Sequence, residues 1–199
     1  GLPPLHCEAM NATPTAFLEI EHKFVVDADF DREALFSACR ALEPEREKAL
    51  SVTDTYYVPS GQADRIYRHR IDKEIQQLTL KSRGGDNEVR TEINLDLGAA
   101  RSQADAVEAW MGAIGALPGH GIVKEIRVFD FPDCEVVYYE ATHKALRVCC
   151  VEFEAKYAAS EEEGLAILQR YEERLGFDAD DREKVNLFDL LVTAQSHNS

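Results

Sequence analysis

Glu19-Ile20-Glu21-His22-Lys23 alternates charged residues with other side chains over five positions. In a β-strand successive side chains point to opposite faces. Glu19, Glu21 and Lys23 then share one face, and Ile20, His22 and Phe24 the other. The pattern returns near the far end of the chain as Glu152-Phe153-Glu154-Ala155-Lys156. Two such strands predict a sheet that encloses its charged face and turns its apolar face outward. Carboxylates suit metal ions and clustered cations suit a polyanion, so a polar interior of this kind has an evident use.

Working outward, alternation predicts strands over 17–26, 51–58, 65–72, 75–83, 88–97, 122–131, 135–141 and 146–156. Arg83-Gly84-Gly85-Asp86-Asn87 and Pro59-Ser60-Gly61 have turn composition. Helical spacing predicts helices over 31–42, 102–117, 160–175 and 182–194. Ser102 with Asp105 and Ser160 with Glu163 resemble capping boxes, and Gly176 suits a helix C-terminus. Strand, helix, four strands, helix, three strands and two helices is an α+β order, with a largely antiparallel sheet or barrel and helices outside it.

Other predicted strands also carry charged faces. Arg68 and Arg70 share one, as do Thr79, Lys81 and Arg83, and Arg90, Glu92 and Asn94. Lys124 and Arg127 are three apart, so a regular strand sends them to opposite faces unless a bulge intervenes. If the sheet closes, these faces line an interior whose charges must compensate one another. His22 and His69 fall on outward faces and are expected to pack rather than react. Trp110 is expected against the barrel, Tyr56 and Tyr57 in structural roles, and Glu140 at a hairpin turn.

The chain has 199 residues and 45% hydrophobic side chains, enough for one domain with a core. The single domain is expected over 17–194. Residues 1–16 are expected to be a disordered segment, with Met10 a natural start preceded by an added remnant, and 195–199 a tail. A net charge of −15 argues against nonspecific binding to nucleic acid or to an anionic membrane surface. No apolar run is long enough to span a bilayer as a helix. Nine acidic and three basic residues between Ala158 and Glu183 give the C-terminal part a solvated acidic surface. Five cysteines without a Cys-x-x-Cys pair favour neither a zinc site nor a disulfide framework, and point to a reducing, cytoplasmic setting. No phosphate-binding loop of the Gly-x-x-x-x-Gly-Lys-Ser/Thr type is present.

Glu19-x-Glu21-x-Lys23, Arg68-x-Arg70, Thr79-x-Lys81, Arg90-x-Glu92, the basic stretch Lys124 to Arg127 and Glu152-x-Glu154, in that order, resemble the CYTH superfamily, or triphosphate tunnel metalloenzymes. Lys184 with Asn186, Phe188 and Leu191 resembles that family's closing helix. The resemblance implies an eight-stranded antiparallel barrel forming a closed tunnel. It implies magnesium or manganese held by Glu19, Glu21, Glu92, Glu152 and Glu154. Lys23, Arg68, Arg70, Lys81, Arg90, Lys124, Arg127 and Lys184 would grip phosphates, with Lys156 a further candidate. Glu19, Glu21, Lys23 and Glu154 would be the catalytic set.

The function so implied is metal-assisted hydrolysis of a triphosphate, first of all inorganic tripolyphosphate to pyrophosphate and phosphate. Thiamine triphosphate hydrolysis and a class IV-type adenylate cyclase reaction remain open alternatives, since the same grip serves attack at a different phosphorus. A polyphosphate-binding module without turnover is a third. The expected partner is a small-molecule triphosphate, neither nucleic acid nor membrane, and the chain is expected as a monomer or homodimer.

Overall fold

The computed structural model describes residues 16–83 and 88–194. The expected N-terminal segment, apart from Ala16, lies outside the described residues, as do the Gly84–Asn87 turn and the tail 195–199. The first half of the chain forms β1 (Ala16–Val26), α1 (Arg32–Ala41), β2 (Arg46–Tyr57), β3 (Arg65–Ile71), β4 (Ile75–Ser82) and β5 (Val89–Ala99). Then come α2 (Ala104–Ala113), β6 (His120–Asp130), β7 (Cys134–His143), β8 (Leu146–Ala155) and α3 (Glu161–Leu175). A short π-helical turn, Asp189–Thr193, follows. The strands close into an antiparallel barrel in the order β1-β5-β4-β3-β2-β6-β7-β8. β8 returns to β1 with Glu21 opposite Glu154 and Lys23 opposite Glu152, so the two charged motifs are direct neighbours. This is an α+β fold: a closed barrel with helices around it.

The helices start and stop where backbone groups find partners. Asp31 caps α1 by accepting from Ala34 N–H at 3.0 Å. Ser160 accepts from Glu163 N–H at 3.1 Å, while Glu163 accepts from Ala159 N–H at 2.7 Å. Gly176, at φ 79°, closes α3 in the left-handed conformation that costs glycine least. Two helices begin later than their periodicity predicts. Ser102 caps nothing in α2, because its hydroxyl and N–H close the turn after β5 onto Leu97 and Ala99 carbonyls. The last helix starts near Leu187 rather than Arg182. Glu183 N–H is held by the Lys23 carbonyl at 2.6 Å, and Asn186 Oδ1 caps the Asp189 N–H at 2.9 Å.

α1 and α3 cover the outer faces of β1, β6, β7 and β8. There Ile20, Phe24, Phe129, Val136, Val151 and Phe153 pack against Leu35, Phe36, Leu168 and Tyr171. α3 lies so close to β1 that a Cβ at Gly164 would overlap Ile20. His22 lies on this outer face with Nδ1 on Glu172 and Nε2 2.5 Å from Glu88, a packed histidine as expected. α2 covers less. Val107 and Met111 meet Tyr57, Tyr67, Leu78 and Leu97. Trp110 does not pack on the barrel as expected; it is 66% exposed, because Val107 and Met111, one turn apart, take the buried stripe of this short helix.

The interior is not uniformly charged. Val52, Tyr56 and Ile66 join Ile122, Ile126, Tyr139 and Cys150 in a second apolar cluster inside the barrel. Leu187, Phe188, Leu191 and Val192 of the closing helix complete that cluster and fill one end of the barrel.

Candidate functional site

Beside the apolar lobe lies a cavity of about 330 Å³. Alternation delivers its charged groups from most of the barrel. β1 gives Glu19, Glu21 and Lys23, β3 gives Arg68 and Arg70, and β4 gives Lys81. β5 gives Arg90 and Glu92, β6 gives Lys124, and β8 gives Glu152 and Glu154. β7 adds Glu135, which the sequence reading missed.

A continuous polar network crosses four strands. Arg68 reaches Thr79 at 3.4 Å, Thr79 donates to Asn94 at 2.6 Å, and Asn94 donates to Glu92 at 2.9 Å. Lys81 Nζ lies 2.9 Å from Glu92 and 2.7 Å from Glu19. Arg90 closes the chain, 2.6 Å from Glu19 and 3.2 Å from Glu21. On the opposite wall Asp54, fully buried, accepts both Arg70 nitrogens at 2.7 and 2.8 Å and sits 2.7 Å from Lys124. Lys124 also donates to Tyr56 at 2.9 Å, and Tyr139 donates to Glu152 at 2.6 Å. Tyr56 is thus part of the site as well as of the core.

The carboxylates are not equivalent. Burial alone would raise the Glu19 pKa, but Lys81, Glu92 and Arg90 outweigh it and hold that group well below its ordinary range. Asp54 is likewise held far down by Lys124 and Arg70 against its burial. Glu21 goes the other way: burial, Glu152 and Glu19 lift it to about 7. Burial together with Glu19 and Glu21 pushes Glu154 well above the ordinary value. Burial and Asp130 raise Glu135.

One carboxylate oxygen each from Glu19, Glu21 and Glu154 lies within 4.8 Å of the others. Three hard oxygen donors, two of them (Glu21 and Glu154) crowded at the expense of their own ionisation, fit a divalent cation such as magnesium or manganese. Glu92 and Glu152 lie in the same cavity outside that trio, engaged by Lys81 and Asn94 and by Tyr139 respectively. Arg68 Nε and Arg90 Nε are buried without a hydrogen-bond partner, and a phosphate oxygen would satisfy either.

Three expected residues stand outside the cavity. β6 is regular, so Arg127 is on the outer face, 2.7 Å from Glu47 and stacked 5.0 Å over Phe36. Lys184 is exposed and does not line the cavity. Lys156 turns to Asp130 and to the Phe131 carbonyl at 2.7 Å. Glu140 is no turn residue; it lies in β7, on the outer face, between Arg32 and Arg147.

No family model and no curated protein matches the sequence. Solved structures do. PH1012 from Pyrococcus horikoshii is 20% identical with a TM-score of 0.69, over 87% of this chain and 99% of that one. HpAC1 from Hippeastrum, reported with a dominant triphosphatase activity, is 15% identical at a TM-score of 0.58, over 88% and 96%. A Bacillus halodurans protein provisionally named an adenylate cyclase is 16% identical at 0.59, over 83% and 93%. At these identities the likeness shows a shared fold, here a closed eight-stranded antiparallel barrel with helices around it. The tunnel here keeps the ordered charged strands that the sequence resemblance rests on. It adds Asp54 and Glu135, and the closing helix fills one end.

Proposed function

We propose that this protein is a metal-dependent hydrolase of triphosphates, with inorganic tripolyphosphate as the simplest substrate. The observation that carries the reading is the pairing, in one cavity, of an overcrowded carboxylate trio with buried guanidinium nitrogens that lack acceptors. HpAC1, of the same fold, supports a triphosphatase over a binding module.

Glu19, Glu21 and Glu154 would hold the cation, which when bound supplies charge neutralisation and polarises phosphate oxygens. Arg68, Arg90 and Lys23 would bind the phosphate chain. Asp54 keeps Arg70 and Lys124 aimed from the facing wall, and Lys81 is fixed between Glu19 and Glu92. The acceptors already in place mean the grip is formed before substrate arrives, so little reorganisation accompanies the reaction. A water attacking the terminal phosphorus breaks the bridging P–O bond, and the bridging oxygen leaves on pyrophosphate. The attacking water's proton passes to a carboxylate oxygen of the site and from there to solvent.

The test is product analysis with tripolyphosphate and magnesium or manganese. Phosphate and pyrophosphate should appear in equal amounts, and Glu19→Gln with Glu21→Gln should abolish them. Cyclic AMP and pyrophosphate from ATP would replace the hydrolase with a cyclase. Tight binding without turnover of tripolyphosphate, ATP or thiamine triphosphate would leave a binding module.

A further inference from the structure

The cations of the cavity draw counter-charge from two sources. Lys81, Arg90 and Arg70 pair with Glu19 and Asp54 on barrel strands, and both of those carboxylates are buried. Arg83, one residue past β4, pairs instead with the closing helix. Its guanidinium lies 2.5 Å from Asp189 Oδ1 and 5.6 Å from the centre of the Phe188 ring. Alternation gives Arg83 the inward face of Lys81, and both line the phosphate cavity.

The Arg83–Asp189 pair can open at little cost. Arg83 N–H donates to the Asp64 carbonyl at 2.7 Å, so the side chain can turn while its backbone stays pinned. Asp189 does not depend on Arg83 alone. Its Oδ1 also accepts from the Thr193 hydroxyl and its Oδ2 from the Asn186 amide, each at 2.7 Å. Removing Arg83 therefore leaves no carboxylate oxygen without a donor. The two side chains are 20% and 26% exposed, so water can reach the pair. Opening a pair made with Glu19 or Asp54 would instead strand a buried charge.

Arg83 lies toward the closed end of the cavity, where Asn186, Leu187 and Phe188 also line it. Lys81 meets Glu19 of the carboxylate trio at 2.7 Å. Two residues of extended chain, roughly 7 Å, separate Lys81 from Arg83. A phosphate chain anchored at the trio reaches Arg83 only with its far end. We propose that Arg83 binds the phosphate farthest from the carboxylate trio, and that Asp189 holds this arginine until a triphosphate takes it. The inference rests on the triphosphatase reading and gives that site a preference for three phosphates over two. After cleavage neither product spans both groups, so Arg83 returns to Asp189 and the products leave more readily.

The experiment is steady-state kinetics on the full chain with magnesium, reading KM for tripolyphosphate and Ki for pyrophosphate. Arg83→Gln should raise KM about tenfold, the scale of a lost charge-assisted hydrogen bond, and should change Ki much less. Asp189→Asn should lower KM about fivefold, because the phosphate no longer has to break a partly exposed ion pair. In the Arg83→Gln background Asp189→Asn should have no further effect. Thr193→Ala removes a helix partner of Asp189 and keeps its charge, so KM should stay within about twofold. Unchanged KM in Arg83→Gln, equal rises in KM and Ki, or additive effects in the double variant would overturn the assignment. So would a fall in KM for Thr193→Ala equal to that for Asp189→Asn, which would trace the gain to a loosened helix. Wild type that is stabilised by tripolyphosphate in thermal melts without turning it over overturns the triphosphatase reading. The melting shifts of the same variants then decide the role of Arg83, with the same order expected. Wild type showing neither turnover nor a shift overturns both.

Discussion

The two walls of the barrel interior obey the same alternation and end up with different balances of charged and apolar side chains. On the wall built by β1, β3, β4 and β5, the inward positions include Glu19, Glu21, Lys23, Arg68, Lys81, Arg90 and Glu92. On the wall built by β2, β6 and β7, Val52, Ile122, Ile126 and Tyr139 meet Leu187, Phe188 and Leu191 of the closing helix, with Asp54, Lys124 and Glu135 its charged exceptions. An apolar interior needs an apolar partner to exclude water, and the closing helix is that partner. A charged interior needs counter-charges instead. The network from Arg68 to Glu21 supplies them incompletely, leaving Glu21 and Glu154 reluctant to ionise and two guanidinium nitrogens without acceptors. That shortfall marks the wall that waits for ligands.

The largest effect should come from breaking the charged wall where its deficit is concentrated. Glu19→Gln with Glu21→Gln preserves shape and removes two of three clustered carboxylates. Turnover with magnesium should fall by about three powers of ten or more, on the scale of lost transition-state electrostatics. The metal-free melting temperature should fall only in part, because Lys81 and Arg90 lose Glu19 as an ionic partner while the repulsion among the carboxylates goes with them. A double variant with wild-type turnover would remove the cation from this trio.

Breaking the other wall should act on stability. Leu191 is fully buried between the closing helix and the barrel interior. Leu191→Ala should cost about 3 kcal/mol in denaturant unfolding, the usual range for a leucine truncated in a packed core. A cost below about 1 kcal/mol would mean that the helix rests on the barrel end without filling it.

Titration sharpens the contrast next. Glu21 has a folded pKa of about 7 against an unfolded value of 4.5. Between those values the folded chain keeps a proton that the unfolded chain has lost, so this group's contribution to stability falls as pH rises. Metal-free protein should therefore lose stability from pH 5 to pH 8, and Glu21→Gln should lose less. Magnesium should recover more stability at pH 8 than at pH 5, since protons compete for the same oxygens. Thermal melts at the two pH values with and without magnesium would show this, and parallel curves for wild type and Glu21→Gln would count against it.

The charged wall was the legible one. Glu-x-Glu-x-Lys can hardly be exposed on both faces of one strand, and its echo at Glu152-x-Glu154 is the neighbouring strand β8 in the barrel. Most strand limits and the α3 caps followed from alternation and from Ser160, Glu163 and Gly176, but β2 begins at Arg46, five residues before the predicted start at 51, where the charged Arg46-Glu47-Lys48 hides the alternation. The apolar wall was not legible, since β6 carries aliphatic residues on both faces and alternation does not say which face is inside. Asp54 was missed for a related reason. It shares a parity with Tyr56, but only the folded barrel shows that Tyr56 points inward and carries Asp54 with it. Glu135 is the second residue of β7, paired with Asp130 beside the β6–β7 hairpin, where no repeat of charges announced it. The start of the last helix was hidden because Val185 continues the apolar period of Phe188 and Leu191, and the signal that decides it is the Asn186 cap.

The smallest effect should come from a pair of cations three residues apart on one strand. Lys124 faces the cavity, held by Asp54 and Tyr56, with the rings of Tyr56 and Tyr139 beneath it at 5.4 and 5.6 Å. Arg127 faces outward to Glu47 and Phe36, about a third exposed. Lys124→Ala should raise KM for tripolyphosphate at least about tenfold, since it removes a cation from a desolvated site and leaves Asp54 with one partner fewer. Arg127→Ala should leave KM within about twofold and change stability by no more than about 1 kcal/mol, the range of a partly exposed ion pair. Equal losses in the two variants would mean that β6 slips in register when substrate binds, because only a one-residue shift brings Arg127 to the face that Lys124 now holds.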